Sequence, residues 1–223
     1  MGGAADKRYS LGLKMLGNIT RGDTVAKGVG LKPEEASDTF FLSEIEAQCE
    51  FAHRSFGQML ELAAEQPQNK SLFALSHMIL VFGGNVAKIL NPSRDAPSAS
   101  RRRATRLKST IDLENLNFES VRRARNYVEH FDERMHKYLL LPPEDGVRCV
   151  TILRMIQDHE PDQVTVEGKG AEPYNTKFLQ LLNTSIWQLN FFGERFDLKQ
   201  IVELLDLVKN RVRNAKSKEI NVK

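Results

Sequence analysis

Cysteine is nearly missing from this chain, which holds two in 223 residues, Cys49 and Cys149. They lie far apart and in no Cys-x-x-Cys pair, which excludes a disulfide framework and a cysteine-built zinc site and fits a reducing, cytoplasmic setting. Long apolar runs are missing too. The most apolar stretch, Leu72 to Phe82, is interrupted by Ser76 and His77 and falls far short of the roughly 20 residues of a bilayer span, so no membrane segment is expected. Leu11 to Leu16 is broken by Gly12 and Lys14, which leaves no continuous core for a secretion signal. No sign of charge dominates: the formal net charge is +3, too small to imply nucleic-acid binding by itself. His130, Asp132 and Glu133 cannot converge on one ion from a single helix, so no metal site is read there, and the residues suggest no cofactor.

The composition that remains, 41% hydrophobic and 27% charged, is that of an ordinary folded domain long enough to bury a substantial core. Residues 1 to 40, rich in glycine and charge, read as a loosely packed N-terminal arm with a short helix near Leu11 to Ile19. Ser43-Glu-Ile-Glu46 has the form of a capping box and opens a first helix that Pro67 ends. Asn69 can cap a second helix reaching Leu90, apolar nearly all round and therefore central in a bundle. Gly83-Gly84 inside it lowers helix stability by roughly 1 kcal/mol per glycine relative to alanine, which predicts close approach of a neighbouring helix. His77 on the same helix reads as a satisfied core histidine.

A short basic helix is expected from Ala99 to Ile111, and Asn117 caps a fourth that runs to about Leu140 before Pro142-Pro143. Beyond the prolines, Val147 to Ile156 fits either a short helix or a strand. Gly168-Lys-Gly170 lies in a loop and lacks the context of a phosphate loop. Phe178 to Leu182 and Ile186 to Phe192, separated by Asn183-Thr-Ser185, predict a β-hairpin. Asp197-Leu-Lys-Gln200 opens a last helix to about Arg213, whose stripe Ile201, Leu204, Leu205 and Val208 can cover that hairpin. The expected organisation is an arm (1–40), a helical bundle (41–141), a C-terminal extension (142–216) and a disordered tail (217–223). The expected fold class is mainly α: an antiparallel four-helix up-and-down bundle with a C-terminal β-hairpin and one helix packed on it.

The fourth helix carries the chemistry. Val121, Ala124, Val128, Phe131, Met135 and Tyr138 form its buried stripe, so Asn126 and His130, one turn apart, share a surface. Arg125 precedes His130 by five residues, which at about 100° per residue sets them roughly 140° apart around the axis. Arg125 is also four residues before Glu129, so a surface ion pair is the plain alternative. Arg101, Arg102, Arg103, Arg106 and Lys108 lie together, with Arg122 and Arg123 soon after, either as a solvated basic face or, for Arg101, Arg102, Arg103, Arg122 and Arg123, as contacts to RNA.

The run Arg125-Asn126-Tyr127-Val128-Glu129-His130, set late in a helical pattern from Ser43 to Leu140, resembles the motif of the HEPN superfamily. That resemblance implies a metal-independent endoribonuclease in which the ribose 2′-hydroxyl attacks the adjacent phosphate. By the same resemblance His130 is the acid/base, Arg125 the phosphate clamp and Asn126 the orienting neighbour. It also implies a homodimer through the motif helix and a toxin or defence effector held in check by a neutralising protein partner. The competing expectation is a non-catalytic interaction or dimerisation module built on the same helix.

Overall fold

The computed structural model describes residues 33–113, 116–140, 149–158 and 175–221. Among these the chain forms α1 (Pro33–Glu65), α2 (Ser71–Leu90), α3 (Ser98–Thr110), α4 (Glu119–Glu129), α5 (Phe131–Leu140), β1 (Cys149–Gln157), β2 (Asn175–Asn183), β3 (Gln188–Phe191), β4 (Glu194–Asp197) and α6 (Leu198–Asn221). The protein is mainly helical and carries a small C-terminal mixed sheet rather than a hairpin alone. The expected short helix near Leu11 and the Gly168-Lys-Gly170 loop lie outside the described residues.

α2 is the hub. It touches α1, α3, α4 and α6, and Leu72, Ile79, Leu80, Val86 and Leu90 are fully buried on it. By length and composition α2 could cross a membrane, but half of its apolar window is buried within the fold, as the central helix of a bundle requires. The side-chain amide of Asn69 accepts from Ser71 N at 2.9 Å and starts the helix as expected. Asn85 donates to Gln48 at 3.1 Å while Phe82 meets Phe51, so α1 and α2 run antiparallel.

Three helix boundaries differ from the expectations. α1 begins ten residues before Ser43, so the presumed capping box lies in a helix interior. Ser43 Oγ instead accepts from Lys216, and Glu46 pairs with Arg213 at 2.8 Å and Lys216 at 2.9 Å. Those contacts belong to a ladder joining α1 to α6, continued by Lys209 between Glu50 and Asp206 and by His53 on Asp206 at 3.0 Å. The ladder explains the second difference: α6 runs on to Asn221, and residues 217–221 are helical rather than a disordered tail. Asp197 does cap α6, accepting from Gln200 N at 2.8 Å. Third, the motif segment is two helices, with a break at His130.

The sheet has the order β1-β2-β3-β4, β1 parallel to β2 and the other pairs antiparallel. The segment left open between helix and strand is thus a strand. Its parallel pairing requires a crossover, residues 159–174, outside the described residues. The expected hairpin exists as β2 and β3 and is tied at its turn by Asn183 Oδ1, which accepts from Ser185 N, Ser185 Oγ and Ile186 N. β4 was not foreseen, because a second turn at Phe192-Gly193 follows directly, with φ of 51° and 81°. Positive φ suits glycine but strains phenylalanine. Phe192 is held there by stacking on Phe191 at 4.4 Å and by Phe131 and Tyr138 of α5. Leu182, Leu189, Phe191 and Phe196 join the helical side chains in one continuous core.

Two predictions follow from these contacts. A Cβ built on Gly84 would stand 2.6 Å from Arg125 Cγ and Cδ and closer still to its Cβ, whereas one on Gly57 meets nothing within 4 Å. In urea melts Gly84→Ala is expected to destabilise by about 3 kcal/mol and Gly57→Ala to stabilise by about 0.5–1 kcal/mol. The second concerns acid. Glu46 is held below its usual 4.5 chiefly by hydrogen bonds from Arg213 and Lys216, and Glu50 chiefly by the bond from Arg54. A depressed carboxyl contributes stability that is complete above its unfolded pKa and disappears as pH falls through the folded value. Stability is therefore expected to fall below about pH 4.5, and Glu46→Gln to flatten that fall when the urea midpoint is followed against pH.

Candidate functional site

The motif sits where α4 leaves the bundle. Val121 and Ala124 are fully buried and face α2, while Tyr127, Val128, Phe131, Met135 and Tyr138 lean on the same core. The expected stripe is therefore real, with Tyr127 added to it. Tyr127 contacts Phe191 and Phe196 of the sheet, and burial together with Glu194 raises its phenol pKa. Asn117 Oδ1 accepts from Glu119 N, the first amide of α4, at 2.8 Å, while Phe118 rather than Asn117 occupies the cap position.

His130 breaks the helix with φ −108° and ψ 38°, in a segment that contains neither proline nor glycine. Its amide still donates to Asn126 O at 3.1 Å, and its carbonyl accepts from Arg134 N at 2.9 Å. The ladder thus continues across the break. Beyond it Phe131 and Tyr138 pack on Phe192. The imidazole is half-exposed, with Nδ1 3.5 Å from Glu133 Oε2.

Arg125 is placed differently. Its stem lies against Gly84 of α2, its side chain is only 15% exposed, and its guanidinium pairs with Glu129. Asn126 is exposed. Among the described residues no hydrogen bond or ion pair joins Arg125 to His130. One chain therefore presents Asn126 and His130 to solvent and keeps Arg125 mostly buried against α2.

Arg101, Arg102, Arg103, Arg122 and Arg123 divide into three sets. Arg103 lies with its guanidinium 3.8 Å from the centre of the Phe41 ring, and its Nε is buried without a hydrogen-bond partner. Arg123 sits 3.7 Å from Glu194 and over Phe196, which ties α4 to β4. These two hold the fold together. Arg102 is exposed. Arg101 and Arg122 line a cavity of about 440 Å³ between the end of α2, α3 and the start of α4. Lys108, Thr105 and Asn91 line it as well. Lys108 belongs to the basic run read from the sequence, and Thr105 follows Arg101 by four residues, on the same helix face.

A second polar cluster joins α2 to the sheet. Arg154 Nε donates to Gln180 Oε1 at 2.8 Å, and Gln180 Nε2 lies 3.4 Å from His77 Nε2. With its oxygen occupied, the Gln180 amide turns its NH₂ toward the imidazole, so His77 Nε2 accepts and the proton resides on Nδ1. Burial first and then Arg154 lower the His77 pKa below 6.5. His77 is thus a satisfied interior histidine, as expected, and a contact to the sheet. Among the described residues no cluster of three histidine, cysteine or carboxylate side chains could hold a metal.

Comparison with family models, curated proteins and solved structures finds no match. The HEPN resemblance accordingly rests on the motif and the helical setting alone.

The state of His77 can be tested directly. Nitrogen-detected NMR is expected to show its Nδ1–H tautomer and a titration below the usual 6.5, and Arg154→Gln is expected to raise that midpoint by removing a neighbouring positive charge. A midpoint unmoved by Arg154→Gln would separate the two groups.

Proposed function

We propose that the protein is a HEPN-like, metal-independent endoribonuclease that works as a two-fold homodimer through its motif helix. The observation that carries the proposal is the helix break at His130. The break falls on the motif histidine itself, in a segment with neither proline nor glycine. It leaves the imidazole half-exposed at a helix end, one turn from exposed Asn126.

In the proposed reaction a base takes the proton of a ribose 2′-hydroxyl, and the oxygen attacks the adjacent phosphorus. The P–O5′ bond breaks, an acid returns a proton to the departing 5′-oxygen, and a 2′,3′-cyclic phosphate remains. Histidine suits either proton transfer near neutral pH. A guanidinium suits the non-bridging oxygens, on which charge accumulates. A two-fold axis near α4 would supply two imidazoles and would let Arg125 of one chain serve the His130 of the other. Arg125 must then exchange Glu129 for phosphate. The HEPN-like four-helix arrangement, RNA as partner, a cytoplasmic setting and a neutralising partner protein belong to the same proposal.

The pairing of Arg125 with Glu129 favours the second reading, a non-catalytic interaction module, because an arginine so placed already has a structural duty. The two readings separate in one assay. With a mixed RNA pool in EDTA, the nuclease reading expects cleavage with cyclic ends, loss of at least 100-fold in His130→Ala, and faster cleavage in Glu129→Gln as Arg125 is released. Equal inertness of all three folded proteins would leave the interaction module.

A further inference from the structure

We propose that the cavity between α2, α3 and α4 is a phosphate-binding socket, distinct from the motif and independent of any cleavage chemistry. Its cations come from two elements. α3 contributes Arg101 and Lys108, seven residues apart and so on one face, with Thr105 between them. α4 contributes Arg122 from its first turns, and Glu119 is the one carboxylate among the described lining residues.

The hydrogen bonding within the cavity shows why an anion fits. Lys108 Nζ donates to Asn91 Oδ1 at 3.2 Å, and Arg101 Nη1 donates to the Arg94 carbonyl. Both acceptors are neutral: they hold the side chains in place and leave the positive charge uncancelled. Of the three, Arg122 pairs with an anion, Glu119 Oε2 at 2.8 Å. Among the described lining residues three cations thus face one carboxylate around a concave space of about 440 Å³. The α4 amino end also faces this space, and its dipole favours negative charge. Arginine and lysine with spare donors, set in a concavity, suit the tetrahedral oxygens of a phosphate group.

The socket also has a definite relation to the motif. Arg122 and His130 are eight residues apart along α4, about 12 Å at 1.5 Å per residue. A phosphate held at the socket is therefore too far away to be the one acted on at His130. It would be an anchoring phosphate, belonging either to an RNA backbone or to a free nucleotide.

The experiment titrates the full chain with inorganic phosphate, a nucleoside 5′-monophosphate and a short single-stranded RNA, following backbone amide shifts and thermal unfolding. Wild type is expected to bind phosphate saturably, with shifts at the start of α4 and along α3. The Arg101→Gln/Lys108→Gln double variant is expected to lose that binding and to weaken RNA at least tenfold. Its salt dependence should fall by about 0.7 in slope, one phosphate on a single strand. Glu119→Gln, which removes the opposing carboxylate, is expected to tighten phosphate severalfold and so tests the socket even if the double variant folds poorly. His130→Ala should leave phosphate binding unchanged. The monophosphate and RNA arms distinguish the sources: binding equal to that of inorganic phosphate in both marks a general phosphate anchor, and a gain confined to RNA marks a backbone anchor. Unsaturable phosphate binding in wild type, a Glu119→Gln variant no tighter than wild type, or loss of binding in His130→Ala would each overturn the proposal.

Discussion

The structure depends on the close approach of α4 to α2 at Gly83-Gly84. No other residue type leaves room there, since even a methyl group on Gly84 would collide with the stem of Arg125. On Gly83 it would meet Val121 of α4 at 3.0 Å and Leu205 and Ile201 of α6 at 3.4–3.5 Å. The glycine pair therefore seats two helices at once. It lowers the intrinsic stability of α2, and the burial of Val121, Ala124, Ile201 and Leu205 offsets that loss. Because α4 is fixed at its middle, both of its ends are fixed too: the basic end at α3 and the His130 end beside the sheet.

The charges separate along the same lines. On the α1–α6 side nearly every cation faces a carboxylate, with Lys209, Arg213 and Lys216 answering Glu46, Glu50 and Asp206. Those charges are structural, and they align two long helices in one register. On the α3–α4 side Arg101 and Lys108 rest on neutral oxygens. A net charge of +3 conceals this contrast, since a balanced face and a basic cavity sum to a modest total.

The sequence made the helices legible wherever a proline, a cap and a periodic stripe agreed. Asn69 and Asp197 bond the first turns of their helices as their positions suggested, and Asn117 bonds the first amide of α4 from one residue before the cap. The glycine pair also announced its role, because two helix-weakening residues in a buried stripe demand a packed neighbour. Ser43-Glu-Ile-Glu46 misled because the same residue pattern suits a helix start and an ion pair to a helix far away in sequence. The break at His130 was invisible because its segment holds neither proline nor glycine, so it has no local signal. β4 was missed for a related reason: Phe192 occupies a turn position that its own preferences disfavour. The split of the arginines into ring-stacked, ion-paired and cavity-lining sets needed the fold.

The central claim is that the Gly84–Arg125 contact positions the motif helix, and a double-mutant cycle tests it most directly. Gly84→Ala, Arg125→Gly and the pair are compared by urea denaturation of the full chain. Glycine at 125 removes the stem that a Gly84 methyl would strike, so the account predicts that the two changes offset each other, with a coupling of about 1–3 kcal/mol. Additive effects, with a coupling near zero, would mean that α4 does not rest on α2 at this point, and the placement of the motif derived from that contact would be contradicted.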